Sequence, residues 1–186
     1  MKQLKVVLFF VAVVLLAASC AAKLPQADVD AANAAFTAAS AAKADVYAAD
    51  SFKAASDAND ALTANLTAKA YGKTAVLAKT LLDASTKATA DANTAIEAVK
   101  GDVATLTTDV TALLPVVQKQ LAAAVKAGKK AKVDVKSIKA TVDAVAKTLT
   151  DAQASTDFAD AKAKLSATKD SLTAAQTSLE AAGFKK

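Results

Sequence analysis

Between Ile96 and Val117 the large apolar residues are Ile96, Val99, Val103, Leu106, Val110, Leu113 and Val117, separated by alternating steps of three and four. A mean step of 3.5 residues places all seven on one stripe of an α-helix. A strand would send successive side chains to opposite faces. Such a stripe is stable only when other helices cover it, in coiled-coil-like packing. The spacing returns at Val135, Ile138, Val142, Val145 and Leu149, and again at Phe158, Ala161, Leu165, Thr168, Leu172, Ala175, Leu179 and Ala182. The chain therefore reads as all-α, an elongated antiparallel helical bundle of about six helices.

The punctuation between stripes divides these helices. Pro25 opens the first, expected over 26–47, with Val29, Phe36 and Val46 as its larger apolar positions. Ala48-Ala49-Asp50-Ser51 reads as a turn whose Asp50 or Ser51 caps a second helix over 52–70. Tyr71-Gly72 reads as its stop, and a third helix starts near Lys73 with Leu77, Leu81, Ala84, Ala88, Ala92 and Ala95 in line. Gly101 interrupts the composition but not the register. A long central helix through Gly101 is favoured, kinked or restarted near Pro115, which lacks a backbone donor. Ala127-Gly128-Lys129-Lys130 is the next turn, followed by helices over 132–152 and 158–182, with Gly183 as a helix stop. Short connections make sequential neighbours antiparallel. Two three-helix units are expected, 26–100 and 101–186, the second ending in a short tail. Ala-rich stripes imply a thin core, because each missing methylene removes about 0.8 kcal/mol of burial.

The first residues follow a different rule. Lys2 and Lys5 precede an apolar run from Val6 to Leu16, then Ala17, Ala18, Ser19 and the single cysteine, Cys20. Eleven apolar residues fall short of the roughly 20 needed to span a bilayer and suit the core of a secretory signal. A lone cysteine has no disulfide partner in an oxidising compartment. Leu16-Ala17-Ala18-Ser19-Cys20 resembles the lipobox of bacterial lipoproteins, with Ala17 where that family prefers Leu, Val or Ile. The resemblance implies a signal peptide over 1–19, lipidation of Cys20, and a lipidated tether over 20–25. Ala21 rather than Asp beside Cys20 leans towards the outer membrane. Residues 27–95 resemble a group of small Ala-rich bacterial envelope lipoproteins through Ala44-Asp45-Val46-Tyr47-Ala48, the restart at Asp50, and Ala70-Tyr71-Gly72-Lys73-x-Ala75 with Leu77-Ala78. That resemblance implies a three-helix envelope domain and carries no catalytic residues.

Removing 1–19 takes Lys2 and Lys5 away and leaves 21 lysines against 18 acids, a mild excess. With no arginine there is no bidentate fork for phosphates or base edges, and no nucleic-acid partner is expected. Histidine is absent and glutamate is confined to Glu97 and Glu180, so no metal and no cofactor are expected. Asp28 with Asp30, and Asp57 with Asp60, read as solvated faces rather than acid–base pairs. No nucleophile elbow or glycine-rich phosphate loop occurs, and no enzyme is expected. Lys126, Lys129, Lys130, Lys132, Lys136 and Lys139 form the one basic cluster, relieved by Asp134. It reads either as a solvated helix–turn–helix tip or as a contact for an anionic surface. Gly183-Phe184-Lys185-Lys186 is similar to the end of Braun-type lipoproteins, with Phe184 for Tyr and Lys185 for Arg. That similarity implies peptidoglycan linkage through Lys186.

The expectation is a non-enzymatic, lipid-anchored helical protein of the bacterial envelope, a spacer, scaffold or interaction surface. It is held to the membrane through Cys20 and is open to a cell-wall or helical protein partner or to self-association. The alternatives are a wall tether through Lys186 and a binding module for a hydrophobic or anionic envelope ligand. Close-packed alanine helices are expected to leave no cavity for the latter.

Overall fold

The computed structural model describes residues 23–185. Among them are six α-helices and no strand: α1 (Gln26–Ala41), α2 (Ala44–Tyr47), α3 (Ala49–Thr67), α4 (Thr74–Ala127), α5 (Val135–Ala154) and α6 (Phe158–Ala181). The chain divides into two compact units, Met1–Ala95 and Ile96–Lys186. The helix α4 is continuous through both Gly101 and Pro115. No new segment begins at Pro115. Its ring is exposed, while Val110, Val117, Leu121 and Ala124 on the opposite stripe are buried and hold the helix across the missing donor.

In the first unit, α1, α3 and the first part of α4 form an up–down–up bundle. Val29 and Ala32 of α1 share one apolar cluster with Leu62 of α3 and Ala78 and Leu81 of α4. Towards the other end of α1, Ala39 meets Ala44, Ala88 and Ala92, with Tyr47 and Phe52 against them. The order of these levels makes α3 antiparallel to its neighbours. Phe36 and Phe52 stack with ring centroids 5.6 Å apart and planes within 11°, a packing geometry favoured by aromatic pairs. Most of the buried side chains here are alanines. Each carries three fewer carbons than leucine, and burial contributes about 0.8 kcal/mol per carbon.

Three helix ends depart from the sequence reading, and all three involve a lysine in the left-handed conformation: Lys43 (φ 53), Lys69 (φ 54) and Lys132 (φ 51). The first helix stops at Ala41 instead of running to Tyr47. The break at Lys43 allows Ala44 to reach full burial and leaves Val46, expected in the core, 57% exposed. The break expected at 48–51 is confined to Ala48 (φ −144), and 49–51 are already helical. Helix α3 starts at Ala49 with no side-chain cap, so Asp50 and Ser51 are not its caps. Its stop is not Gly72 but Lys69. The Ala70 N–H bonds the Asn65 carbonyl (3.1 Å) and the Lys69 N–H bonds the Leu66 carbonyl (3.0 Å), a Schellman pairing. Asn65 then clamps the connection: its Nδ2 donates to the Ala70 carbonyl (3.0 Å) and its Oδ1 accepts from the buried Thr74 hydroxyl (2.6 Å).

The second unit packs the remainder of α4 with α5 and α6. Val110, Val117, Leu121 and Ala124 share a core with Ile138, Val142 and Val145 of α5 and Leu172, Ala175 and Leu179 of α6. Beyond it, Ala152, Ala161 and Leu165 meet Val103, Leu106 and Leu149. Helices α4 and α6 run parallel with a constant offset of 60 residues. Lys162 pairs with Asp102 (2.7 Å), Lys169 with Asp109 (2.7 Å), and the Gln120 amide donates to Glu180 (3.3 Å). Helix α5 runs antiparallel to both. Its start lies later than expected, at Val135, because the Asp134 carboxylate accepts from the Ser137 N–H (3.0 Å) and so caps it. Asp157 likewise caps α6 through the Asp160 N–H (3.1 Å). Gly183 (φ 95) ends α6, with the Phe184 N–H on the Leu179 carbonyl (2.9 Å).

Candidate functional site

The chemistry-bearing side chains of the described residues lie mostly on solvated helix faces. Lys53–Asp57 (2.8 Å), Lys79–Asp83 (2.8 Å), Lys87–Asp91 (2.5 Å), Lys139–Asp143 (2.5 Å) and Lys147–Asp151 (2.5 Å) are pairs one helical turn apart. Such exposed pairs contribute a few tenths of a kcal/mol each. The carboxylates singled out from the sequence are placed in this way too. Asp57 is held by Lys53, whose ammonium is raised above its ordinary 10.5 by that hydrogen bond, by the Asp57 charge and, least, by Asp60. Asp30 accepts from Gln26 (2.7 Å). Asp91 is held below the ordinary 3.8, first by the hydrogen bond from Lys87 and then by the Ser51 hydroxyl. Lys164 is raised by its bond to Asp160.

Many serine and threonine hydroxyls bond back into their own helices. Thr37 donates to the Asn33 carbonyl (2.9 Å), Thr80 to Val76 (3.0 Å) and Thr173 to Lys169 (2.8 Å), the usual competition of a β-hydroxyl for a carbonyl one turn back. None of these three is oriented by a neighbouring base.

Polar side chains do enter the core: Thr74 and Ser85 are fully buried in the first unit, Ser85 with no partner for its hydroxyl among the described residues, and Gln120 is buried in the second. Gln120 is 2% exposed; its Nε2 reaches Glu180, while its Oε1 has no partner. Glu180 also accepts from Gln176 (2.8 Å). Spacing alone did not identify this trio, because Gln120 sits beside the apolar stripe as an ordinary polar residue between Lys119 and Leu121.

The six lysines of the sequence reading are brought together on the connection between α4 and α5. Lys126 lies in the last turn of α4, Lys129 and Lys130 on a 3-10 turn over Gly128–Ala131, Lys132 follows it, and Lys136 and Lys139 begin α5. All six are exposed. Lys139 is spent on Asp143, whereas the other five have no ion pair among the described residues. The single acid of this stretch, Asp134, is occupied as the α5 cap. Helix carbonyls at the end of α4 add partial negative charge that favours the nearby ammonium groups. The structure also adds a residue that the sequence cluster lacked. The turn at Gly183 folds Phe184 back onto the cluster that holds Ala127, Ala131, Val133 and Val135, so Lys185 emerges at the same end of this unit. Cys20 and Lys186 lie outside the described residues.

An open groove of about 490 Å³ runs beside α1 and α4 in the first unit, lined by Ala31, Ala75, Val76, Ala78 and Leu82 between Asp28 and Lys79. Two helices carrying alanine at facing positions leave a channel where larger side chains would meet, and Val76 stands 69% exposed at its edge. No helix of the described residues is long and apolar enough to cross a membrane. No protein-family description, no curated protein and no solved structure matches this chain.

Proposed function

We propose that this chain is a non-enzymatic helical protein of the bacterial envelope, anchored by lipid on Cys20 and serving as a spacer, scaffold or interaction surface. The observation that carries the reading is the Leu16-Ala17-Ala18-Ser19-Cys20 sequence after an apolar run too short to span a bilayer. Two or more acyl chains at that cysteine would hold the helices firmly at a membrane, since each buried methylene contributes about 0.8 kcal/mol. The described residues are consistent with a surface-presenting role: many carboxylates and ammonium groups form exposed pairs one turn apart, and many hydroxyls bond helix carbonyls. Metabolic labelling with an alkyne fatty acid tests the anchor. The full chain should take up label and partition into detergent, and Cys20→Ser should lose both. Unlabelled wild-type protein would refute lipidation.

The groove between α1 and α4 favours a second reading, a module for a hydrophobic ligand. Its apolar lining and volume fall within the range of about 300–1,000 Å³ common to small-molecule sites. Saturable binding of a fluorescent fatty acid, abolished by Ala31→Leu/Ala75→Leu at two exposed lining positions, would support it. Binding that this double variant leaves intact would remove it.

A further inference from the structure

We infer that the end of the second unit formed by the α4–α5 connection and the residues after α6 is a docking surface for an anionic bilayer, with its lysines facing lipid phosphate. The inference deepens the envelope reading by naming a partner, and its test does not depend on lipidation.

Charge complementarity carries it. Lys126, Lys129, Lys130, Lys132 and Lys136 are exposed and unpaired among the described residues, and Asp134 is committed to the Ser137 N–H. Elsewhere in the chain, lysines such as Lys53, Lys79, Lys87 and Lys147 stand one turn before an aspartate. At this end Asp134 is the single acid among five lysines without an ion pair, so an excess of positive charge is left locally. Lys185 joins the group only through the fold, because the Gly183 turn seats Phe184 on the core beneath the connection. Glu180, the nearest acid on α6, is engaged by the amides of Gln120 and Gln176.

The chemistry favours a surface over a discrete ligand. Ammonium groups are mobile point charges without the planar fork that selects one phosphate. Val125, 54% exposed beside Lys126, offers an apolar side chain that gains from entering an interfacial layer and gains nothing from a soluble polyanion. Several lysines held close to an anionic bilayer act additively, each worth roughly a fivefold gain in partitioning.

The test uses a chain starting at Lys23, which keeps every buried residue among the described ones and has no cysteine to acylate. It is sedimented with phosphatidylcholine vesicles and with mixed phosphatidylcholine–phosphatidylglycerol vesicles. Binding to the mixed vesicles alone is expected, weakening as salt shortens the screening length from about 10 Å to about 3 Å. Lys129→Gln/Lys130→Gln/Lys136→Gln should lower partitioning roughly a hundredfold, and Lys185→Gln roughly fivefold. Lys53→Gln/Lys79→Gln/Lys147→Gln, with the same change in net charge, should leave it nearly unchanged. Circular dichroism confirms that each variant is folded. Equal losses in the two triple variants would overturn the proposal, as would equal binding to neutral vesicles. Tight binding of soluble polyphosphate without vesicle binding would overturn the bilayer as occupant.

Discussion

Replacing Gly101 by alanine should stabilise this protein, and the same change at Gly183 should destabilise it. Gly101 lies within α4, is exposed, and a Cβ built there meets nothing within 4 Å. The substitution therefore gains helix propensity, about 0.8–1.0 kcal/mol, without a packing cost. Gly183 also has open space around a Cβ, but its φ is 95°, where an L side chain meets the following carbonyl at a cost of roughly 1–2 kcal/mol. The two variants share one chemical change and differ only in backbone conformation. Thermal unfolding followed by circular dichroism at 222 nm reads the effect. For a unit the size of Ile96–Lys186, 1 kcal/mol corresponds to a shift of about 4–8 °C. Tyrosine fluorescence provides a second signal confined to the first unit, because the two tyrosines are Tyr47 and Tyr71. A Gly101→Ala variant that is neutral or less stable would refute helical continuity through that residue, and with it the reading of α4 as one element.

Three other outcomes follow from the packing and electrostatics. Ser51→Ala should raise the Asp91 pKa, measured by NMR titration, since the hydroxyl is the second cause of its depression after Lys87. A carboxyl depressed on folding contributes stability that is present above its unfolded value near 3.8 and is lost as pH falls through the folded value, so the variant should lose less stability on acidification. Leu172→Ala removes a fully buried side chain from the core of the second unit and should cost about 2–5 kcal/mol in urea unfolding; a loss below about 1 kcal/mol would mean that the surrounding helices collapse into the space. Gln120→Met should be neutral or stabilise by about 1 kcal/mol, because it removes a buried oxygen without a partner, a penalty of about 1–3 kcal/mol, at the loss of one long hydrogen bond. Marked destabilisation would show that the contact to Glu180 outweighs the orphaned oxygen.

The helices themselves were legible because their signal is local. A step of 3.5 residues repeated from Ile96 to Val117 states which side chains share a face, and that stripe alone determined that α4 passes Gly101. The glycine stop of α6 was equally local, a residue free to adopt positive φ. The candidate basic site was legible as six lysines in one stretch. Its extension to Lys185 was not, since that depends on Phe184 finding a core formed by residues of α4 and α5.

What tertiary structure decided is where helices stop against their own propensity. Lys43, Lys69 and Lys132 adopt a conformation that costs roughly 1–2 kcal/mol each, and nothing in their neighbours' identities announces it. The compensation comes from burying Ala44 against Ala88 and Ala92, Ala131 in a core shared with Leu172 and Leu179, and Thr74 on the Asn65 side chain. The 60-residue register between α4 and α6, seen in Lys162–Asp102 and Lys169–Asp109, belongs to the same class. Periodicity is set by adjacent residues. Helix ends and pairing register are set by the free energy of contacts between residues that the sequence places far apart.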